Sequence, residues 1–519
     1  MSLATFAMAA ASAIQAVLYL SRFGTNARTD GFFVAFALYS TFGVFSQSLR
    51  LTSVGLLVEP GARLSVRRFA VVLALIAAGV LVLTGPLAGP VAALIAPGLK
   101  TAGRHVTAAA LPVLGVAMAL QLWASGGATV LAIRGRFTTI AAAYSCGAAA
   151  GLIAFLALMG RAGVQTLGWS MAAMSVVTCA WMLAGVRRSP RYVPRLASAV
   201  PVEPGVPAPP HAPLLPQAPG RSPGLPPALR PLATLLRDCA TVLGRTSIYL
   251  AFNLLFVITL AFASRSAAGS TTVLSYAYLF ASYLVAGTGM ALGMSSIPDL
   301  TRQARARRRA LLASTVPRGF RYAMLLVAPA LAGLIAAGAP LVHALLPHSL
   351  SAAQVHTLRG FALLLVPWTV AALLVNFLLP VLLALGRTRL LGALVPALLA
   401  LHVGASAAGA ALWGANGAVG AFWIAPATLA GALLLGGAGR EGTRAVALQL
   451  GRDGARFLAL AALAFGSGWA LGGALGADLA QATAAGLIGC LAYLAGLGLV
   501  ARRQLRVLLG AVVPRLAPA

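Results

Sequence analysis

The stretch Ser21-Arg22-Phe23-Gly24-Thr25-Asn26-Ala27-Arg28-Thr29-Asp30-Gly31-Phe32-Phe33-Val34-Ala35-Phe36 decides how the chain is read. It is a short charged corner, and on either side of it lies an apolar run long enough to cross a bilayer. A water-soluble domain would scatter its charges over polar helix faces. Here they gather where the hydrophobic runs stop.

The whole chain repeats that pattern. Its 519 residues are 60% hydrophobic and 9% charged, with a mean hydropathy of +0.92. Soluble domains are about 45–50% apolar and about 25% charged, so lipid is the natural solvent for most of this surface. The net charge of +30 excludes nucleic acid as the default partner, because the basic residues fall between apolar runs and so point to topology and anionic membrane lipids. Arg supplies all of them except Lys100. The four cysteines (Cys146, Cys179, Cys239, Cys490) have neither disulfide nor metal spacing. No basic n-region precedes the first run, which reads as a retained helix and not as a cleaved signal.

Breaks at charge and Pro/Gly clusters give about 14 spans: 2–21, 31–57, 69–96, 105–133, 137–159, 163–186, 240–263, 271–297, 321–346, 357–385, 389–413, 416–438, 456–475 and 480–500. One set of alternate loops holds only Arg22, Arg28, Lys100, Arg104, Arg161, Arg265 and Arg359; Arg50 lies inside a span, and the opposite set holds the other basic residues. This asymmetry puts both termini in the cytoplasm.

The spans divide into an N-terminal six-helix lobe (1–186), a Pro-rich cytoplasmic linker (187–231), a second six-helix lobe (232–438) and two extra helices with a basic tail (439–519). The lobes read as a duplication. Ser21-Arg22 recurs as Ser264-Arg265 at an offset of 243, and Val34-Ala35-Phe36 as Tyr276-Ala277-Tyr278 at 242. The run from Val91 to Pro97 recurs from Leu341 to Pro347 at 250, and Gly135 matches Gly386 at 251. Six spans preserve orientation, so the repeats are parallel about an axis along the membrane normal. The expected fold is an all-α polytopic membrane protein with two such lobes around a polar hollow.

Polar groups that are costly against lipid should face that hollow. In the second span Tyr39, Gly43, Ser46, Arg50 and Ser53 share a helical stripe. Two readings of Arg50 stand: a guanidinium that binds a diphosphate bidentately, or one that snorkels to headgroups. Arg22, Arg28 and Asp30 form either a gate between the halves or a solvated corner with a helix-start acid; Arg265, the counterpart of Arg22, carries the same pair of readings. Asn253 and Asn376 are buried amides, for helix-to-helix hydrogen bonding or substrate contact. His402 reads as a packing histidine ahead of a proton relay. Prolines within spans, such as Pro86, Pro112, Pro329 and Pro396, should kink helices. There is no phosphate-binding loop with Lys, no cluster with metal spacing and no pair of acids near an outer loop, so neither enzyme chemistry nor a cofactor is expected.

The corner Thr29-Asp30-Gly31-Phe32-Phe33-Val34-Ala35-Phe36 resembles the Thr-Asp-Ala-Phe-Phe-Val-Ala-Phe signature of the MurJ/MviN lipid II flippases, within the multidrug/oligosaccharidyl-lipid/polysaccharide (MOP) exporter superfamily. Arg22 resembles the arginine closing that family's first helix, and Ser295 to Arg302 its Pro-x-Leu-Ser/Thr-Arg pattern. The resemblance implies a MOP/MATE-like fold in a bacterial plasma membrane. It also implies flipping of a lipid-linked glycan by alternating access, with cell-envelope synthesis proteins as partners. The sequence departs from the family in having no arginine from Ser2 to Leu20 and Tyr39 to Val44 where the family has Pro-Asn-Leu-x-Arg-Arg. The cargo therefore stays open among lipid II, another polyprenyl-diphosphate glycan, the solutes of a MATE-like or polysaccharide-repeat exporter, or none, as in a membrane scaffold.

Overall fold

The computed structural model describes residues 2–58, 64–189, 230–290, 308–345, 349–384, 388–473 and 478–502. The described residues are helical, with short connections. In chain order the helices are α1 (Ser2–Phe23), α2 (Ala27–Val58), α3 (Val66–Thr84), α4 (Ala88–Ile95), α5 (Thr101–Ile133), α6 (Phe137–Leu158) and α7 (Thr166–Arg188). After the linker come α8 (Arg230–Ala263), α9 (Ser270–Val285), α10 (Arg308–Leu345), α11 (Ala352–Ala384), α12 (Thr388–Gly420), α13 (Ile424–Gly472) and α14 (Asp478–Val500).

Among the described residues ten stretches are long and apolar enough to cross a membrane. One of them, Leu390–Gly472, carries more than one crossing. Its backbone leaves helical geometry at Trp413-Gly414 and again at Gly439, the two places where the sequence separates its spans. Around the first bend Gly409 and Gly417 touch backbone to backbone, an approach open only to residues without a side chain. Large apolar side chains such as Leu94 (77% exposed) and Leu463 (75%) face outward. In water they would be aggregation sites; against acyl chains they are the lipid contact.

The structure corrects several spans. The expected single run 69–96 is broken at Gly85-Pro86-Leu87 into α3 and α4, because Pro86 has no N–H to continue the ladder. α8 starts ten residues before its apolar run, and α13 runs unbroken from Gly439 through the charged stretch before 456. Charged, soluble turns continue a helix as readily as apolar ones, so hydropathy marks the membrane-embedded part and not the helix end. Pro329 and Pro396 sit inside helices. The linker from 190 to 229 and the Ser295–Arg302 pattern lie outside the described residues.

The duplication is visible in which helices pack. In the first half α2 packs on α5, α1 on α6, α6 on α7, α5 on α7 and α3 on α5. The second half repeats the scheme with α9 on α11, α8 on α12, α12 on α13, α11 on α13 and α10 on α11. The last two helical arms, the end of α13 and α14, pack on each other and on α10. Arg321 of α10 is tied to Asp453 of α13 by an ion pair at 2.8 Å.

The two halves meet mainly along α2 and α8. These run antiparallel. The start of α2 and the end of α8 lie together at what we term the corner end, and the end of α2 and the start of α8 lie at the linker end. The Thr41 hydroxyl of α2 donates to the Ala37 carbonyl one turn back at 2.9 Å and lies 3.3 Å from the Asn253 carbonyl of α8, so the two helices are level at these residues. α2 carries Val34 and Ala37 into the core of the second half, and α8 carries Val242 into the core of the first.

Candidate functional site

The corner quoted at the outset is where the halves are locked. α2 begins with its own cap: the Asn26 side-chain oxygen accepts from the N–H groups of Arg28 (2.9 Å) and Thr29 (3.1 Å), and the Thr29 hydroxyl oxygen accepts from the Asn26 N–H at 2.8 Å. These contacts satisfy amides that a helix start leaves without partners. α9 has no such arrangement. Its cap position is Gly269, at φ +91°, with no side-chain cap of its own. Asp30 of the other half supplies it. One carboxylate oxygen accepts from the Gly269 N–H at 2.5 Å, and the other from the Thr272 N–H at 2.8 Å and the Thr272 hydroxyl at 2.7 Å. Asp30 is 1% exposed. A buried carboxylate is tolerable here because three donors and the positive end of α9 face it.

Asp30 and Thr272 are 242 residues apart, the offset that relates Val34 to Tyr276. Corresponding positions of the two repeats thus touch across the pseudo-two-fold axis. Flanking contacts follow the same exchange. The Gly98 N–H, just after the first copy of the 91–97 motif, donates to the Ser264 hydroxyl at 3.1 Å. Ser349, just after the second copy, donates to the Ser21 carbonyl at 3.3 Å. Each half's corner rests on the other half's repeat of that motif.

Below the lock lies a cluster of rings. Tyr19, Phe23, Phe32, Phe33, Phe36 and Tyr39 form successive centroid contacts of 4.9–6.1 Å, and Phe33 meets Tyr276 of α9 at 5.1 Å. The Tyr276 hydroxyl reaches the Ala16 carbonyl of α1 at 3.0 Å. Aromatic faces and edges fill the space between α1, α2 and α9 and close it to water.

Toward the linker end α2 opens on one side. Gln47 is exposed, and Phe36, Ser40, Gly43 and Arg50, spaced with it at 4, 3, 4 and 3, are half-buried, as are Leu38, Phe42 and Val44, while Thr41, Phe45, Ser48, Leu49 and Thr52 are buried. A side chain added at Gly43 would meet nothing within 4 Å. Tyr283 of α9, which lies near Tyr39 of α2 and Ser12 of α1, is 52% exposed. The expected stripe is therefore turned: Gly43 and Arg50 belong to it, but Tyr39, Ser46 and Ser53 are buried in the first half. Tyr39 turns to the Gln121–Ser175 pair. Both rows have helical spacing, so periodicity alone does not choose between them.

The remaining candidates separate. Arg22, Arg28 and Arg265 are exposed at the corner end. Asp30 pairs with none of them among the described residues; of the two readings, the arginines are solvated at the corner and Asp30 is a helix-start acid, but on the start of α9 in the other half. Arg265 lies 5.5 Å from the Phe262 ring centroid. Asn253 and Asn376 donate to the carbonyls one turn back in their own helices, Tyr249 and Ala372, both at 2.9 Å. Among the described residues neither amide donates across helices, and the Asn253 carbonyl lies 3.3 Å from the Thr41 hydroxyl of the other half. His402 is fully buried, with Nε2 2.8 Å from the Leu255 carbonyl and 3.0 Å from the Thr259 hydroxyl, stitching α12 to α8. Among the described residues no group of His, Cys, Asp or Glu has the geometry to hold a metal.

No family model and no curated protein matches the sequence. The fold matches solved structures. A lipid II flippase MurJ in an inward closed conformation superposes with a TM-score of 0.69 at 13% identity, over 96% of this chain and 98% of that one. An inward-facing multidrug resistance MATE family transporter of the MOP superfamily gives 0.55 at 15% identity, over 85% of this chain and 94% of the other. A MOP superfamily transporter from Pyrococcus furiosus gives 0.52 at 14%, over 88% and 94%. The chain is a multi-pass membrane protein with the fold of the MOP transporters and of MurJ.

Proposed function

We propose that this protein is a MOP-type exporter that flips a lipid-linked cell-envelope precursor, a glycan on a polyprenyl diphosphate, across a bacterial plasma membrane by alternating access and without covalent chemistry. One observation carries the reading. Between two lobes of repeated packing, a half-buried row runs from Arg50 to Phe36 and ends under a ring cluster and the Asp30 lock. We take this row as one wall of a passage that opens at the linker end and is shut at the corner end. In the orientation favoured by the arginine distribution, the linker end faces the cytoplasm and its basic residues face anionic headgroups.

In this state a cargo headgroup enters from the linker end while its tail stays in lipid. Release outside requires Asp30 to leave α9. Each hydrogen bond to a charged acceptor contributes about 1.5–3 kcal/mol, and Asp30 accepts three; closure of the lobes at the linker end must offset their loss. Gln47 and Arg50 supply the polar contacts that such closure tightens.

The test is reconstitution in liposomes with a fluorescent undecaprenyl-diphosphate disaccharide and quenching from outside. Protein-dependent movement of label between leaflets supports the reading. Monodisperse protein that moves none of it overturns the reading and favours a transport-inactive scaffold for envelope-synthesis proteins. A second reading, a MATE-like exporter of amphipathic solutes, draws on the rings Phe36 and Tyr283 along the passage. Drug efflux from whole cells without lipid movement would favour it.

A further inference from the structure

The last arm of α13, from Arg440 to Gly472, is one continuous helix beyond the bend at Gly439. It rises about 50 Å at 1.5 Å per residue, well beyond the roughly 30 Å of a bilayer's hydrocarbon core. Its far end carries a marker of the interface. Trp469 is 39% exposed, with the Arg359 guanidinium 5.1 Å from its ring centroid, and a tryptophan beside a charge belongs at headgroup level. Measured back along the arm from Trp469, about 30 Å ends at Leu448. Arg452 lies one turn short of that boundary and Arg444 one turn past it. Val446, between Arg444 and Leu448, lies beside Leu382 near the end of α11, which places this boundary at the linker end.

The residues at the boundary form a stripe. Arg440, Arg444, Leu448, Arg452 and Arg456 recur at every fourth position, each one turn on and about 40° around from the last. All are exposed, Leu448 at 68%. Arg452 shares its side of the helix with Leu463, three turns further on and 75% exposed as lipid contact. That side therefore faces the bilayer. A bare leucine between two arginines is costly in water and suits the edge of the acyl layer.

The reverse side is committed to protein. Val446, Leu450, Asp453 and Gly454 are buried, and Asp453 holds Arg321 of α10. The arm's other acid, Glu441, is exposed and forms no ion pair among the described residues. Arg444 and Arg452 have neither a hydrogen-bond nor an ion-pair partner among the described residues. Helix side chains lean toward the N-terminus, here the linker end, so Arg452 reaches out of the acyl layer toward the level of Arg444.

We infer that Arg444 and Arg452, with Leu448 between them, bind an anionic phospholipid of the leaflet at the linker end. Its phosphate lies between the two guanidiniums, and its acyl chains run along Leu448 toward Leu463. Charge selects the partner, because arginine outnumbers acid on this face and favours an anionic headgroup over a zwitterionic one. The reverse of the same turns grips α10, so the bound lipid also steadies that packing and raises the melting temperature. The site is independent of what the chain transports.

The experiment titrates the detergent-purified full chain with dioleoyl phosphatidylglycerol or dioleoyl phosphatidylcholine. Native mass spectrometry reads the tightest-bound lipid, and melting temperature reads the stabilisation. The variants are the pair Arg444→Gln with Arg452→Gln, the pair Arg444→Lys with Arg452→Lys, and Arg136→Gln, an exposed arginine outside the arm. The Gln pair should weaken phosphatidylglycerol binding about 30-fold, roughly fivefold for each arginine at a membrane surface. The Lys pair and Arg136→Gln should stay close to wild type. Equal affinity of the wild type for the two lipids overturns the site, as does unchanged phosphatidylglycerol affinity in the Gln pair. An equal loss in Arg136→Gln assigns the effect to overall charge, and an equal rise in melting temperature with glycerol 3-phosphate assigns it to a free anion; either overturns the lipid site. If the Gln pair melts lower without lipid, the Lys pair carries the test, and its loss of the phosphatidylglycerol preference at wild-type melting temperature overturns the site.

Discussion

The α1–α2 corner and the α8–α9 corner hold matching places in the two halves, yet they are stabilised differently. α2 begins on its own Asn26–Thr29 cap. α9 begins on Gly269 and borrows Asp30. A self-capped helix starts in the same way whether or not the halves touch. A helix capped by the other half loses its cap when they part. Duplication supplied two equal corners, and a single carboxylate at position 30, opposite a threonine at the equivalent 272, makes the contact conditional.

A similar contrast decides the largest expected effect. Gly31, one residue past the lock, lies so close to Gly103 of α5 that an added Cβ would run into the Gly103 carbonyl, and the Thr107 hydroxyl reaches the Gly31 carbonyl at 2.8 Å. Its counterpart at the 242 offset is Val273, which is buried but carries a full side chain. Gly31→Val should therefore abolish the yield of monodisperse protein, since backbone cannot yield as a side chain does; overpacking costs about 1–3 kcal/mol or more. Val273→Ala should cost only about 0.8 kcal/mol per methylene-sized group lost, and size-exclusion profiles compare the two. Equal profiles would mean that the crossing of α2 and α5 is no tighter than its repeat.

Next is the lock itself. Asp30→Asn keeps the shape and removes the charge. It should raise the population open at the corner end about 10- to 100-fold, the equivalent of one charged hydrogen bond. Spin labels at positions 28 and 266, both exposed, report the separation. An unchanged distance distribution would show that the rings and the exchanged Ser264 and Ser349 contacts hold the corner without the carboxylate. Asn26→Ala probes the other corner. Loss of a cap costs about 1 kcal/mol, read as a lower melting temperature, and the label distance should stay as it was because this cap lies within one half. A shift in distance would erase the distinction between the two corners.

Much of this was legible beforehand, and the parts that were not share a cause. Charge at the ends of apolar runs gave the spans, and the repeat offsets gave the lobes, because lipid forces every backbone group into a helix and leaves sequence to mark only where helices stop. The bends at Trp413-Gly414 and Gly439 were legible for the same reason. Asp30 was legible as a candidate but not in its role. Two of its three donors are backbone amides 239 and 242 residues away, and amides leave no mark in a sequence. The half-buried row of α2 is rotated by about 60° from the stripe that the sequence suggests, because both have helical spacing and share Gly43 and Arg50.

The smallest effect expected concerns the one part of the second half with no counterpart in the first. The Arg321–Asp453 pair joins α10 to the charged turns of α13 that precede its last arm. Arg321 is 32% and Asp453 10% exposed at the side chain, so water screens the pair. Its loss should cost about 1 kcal/mol, nearer the exposed than the buried limit for ion pairs. Asp453→Asn should thus lower the melting temperature by about 1–2 °C in a chain of this size, with the spin-label distance at the corner end unchanged. The reason is geometric: the pair holds the last two arms on the outside of α10, away from the α2–α8 seam across which the halves meet. If Asp453→Asn instead opened the corner, the appended helices would be coupled to the lock, and the two halves would differ in their moving parts as well as in their caps.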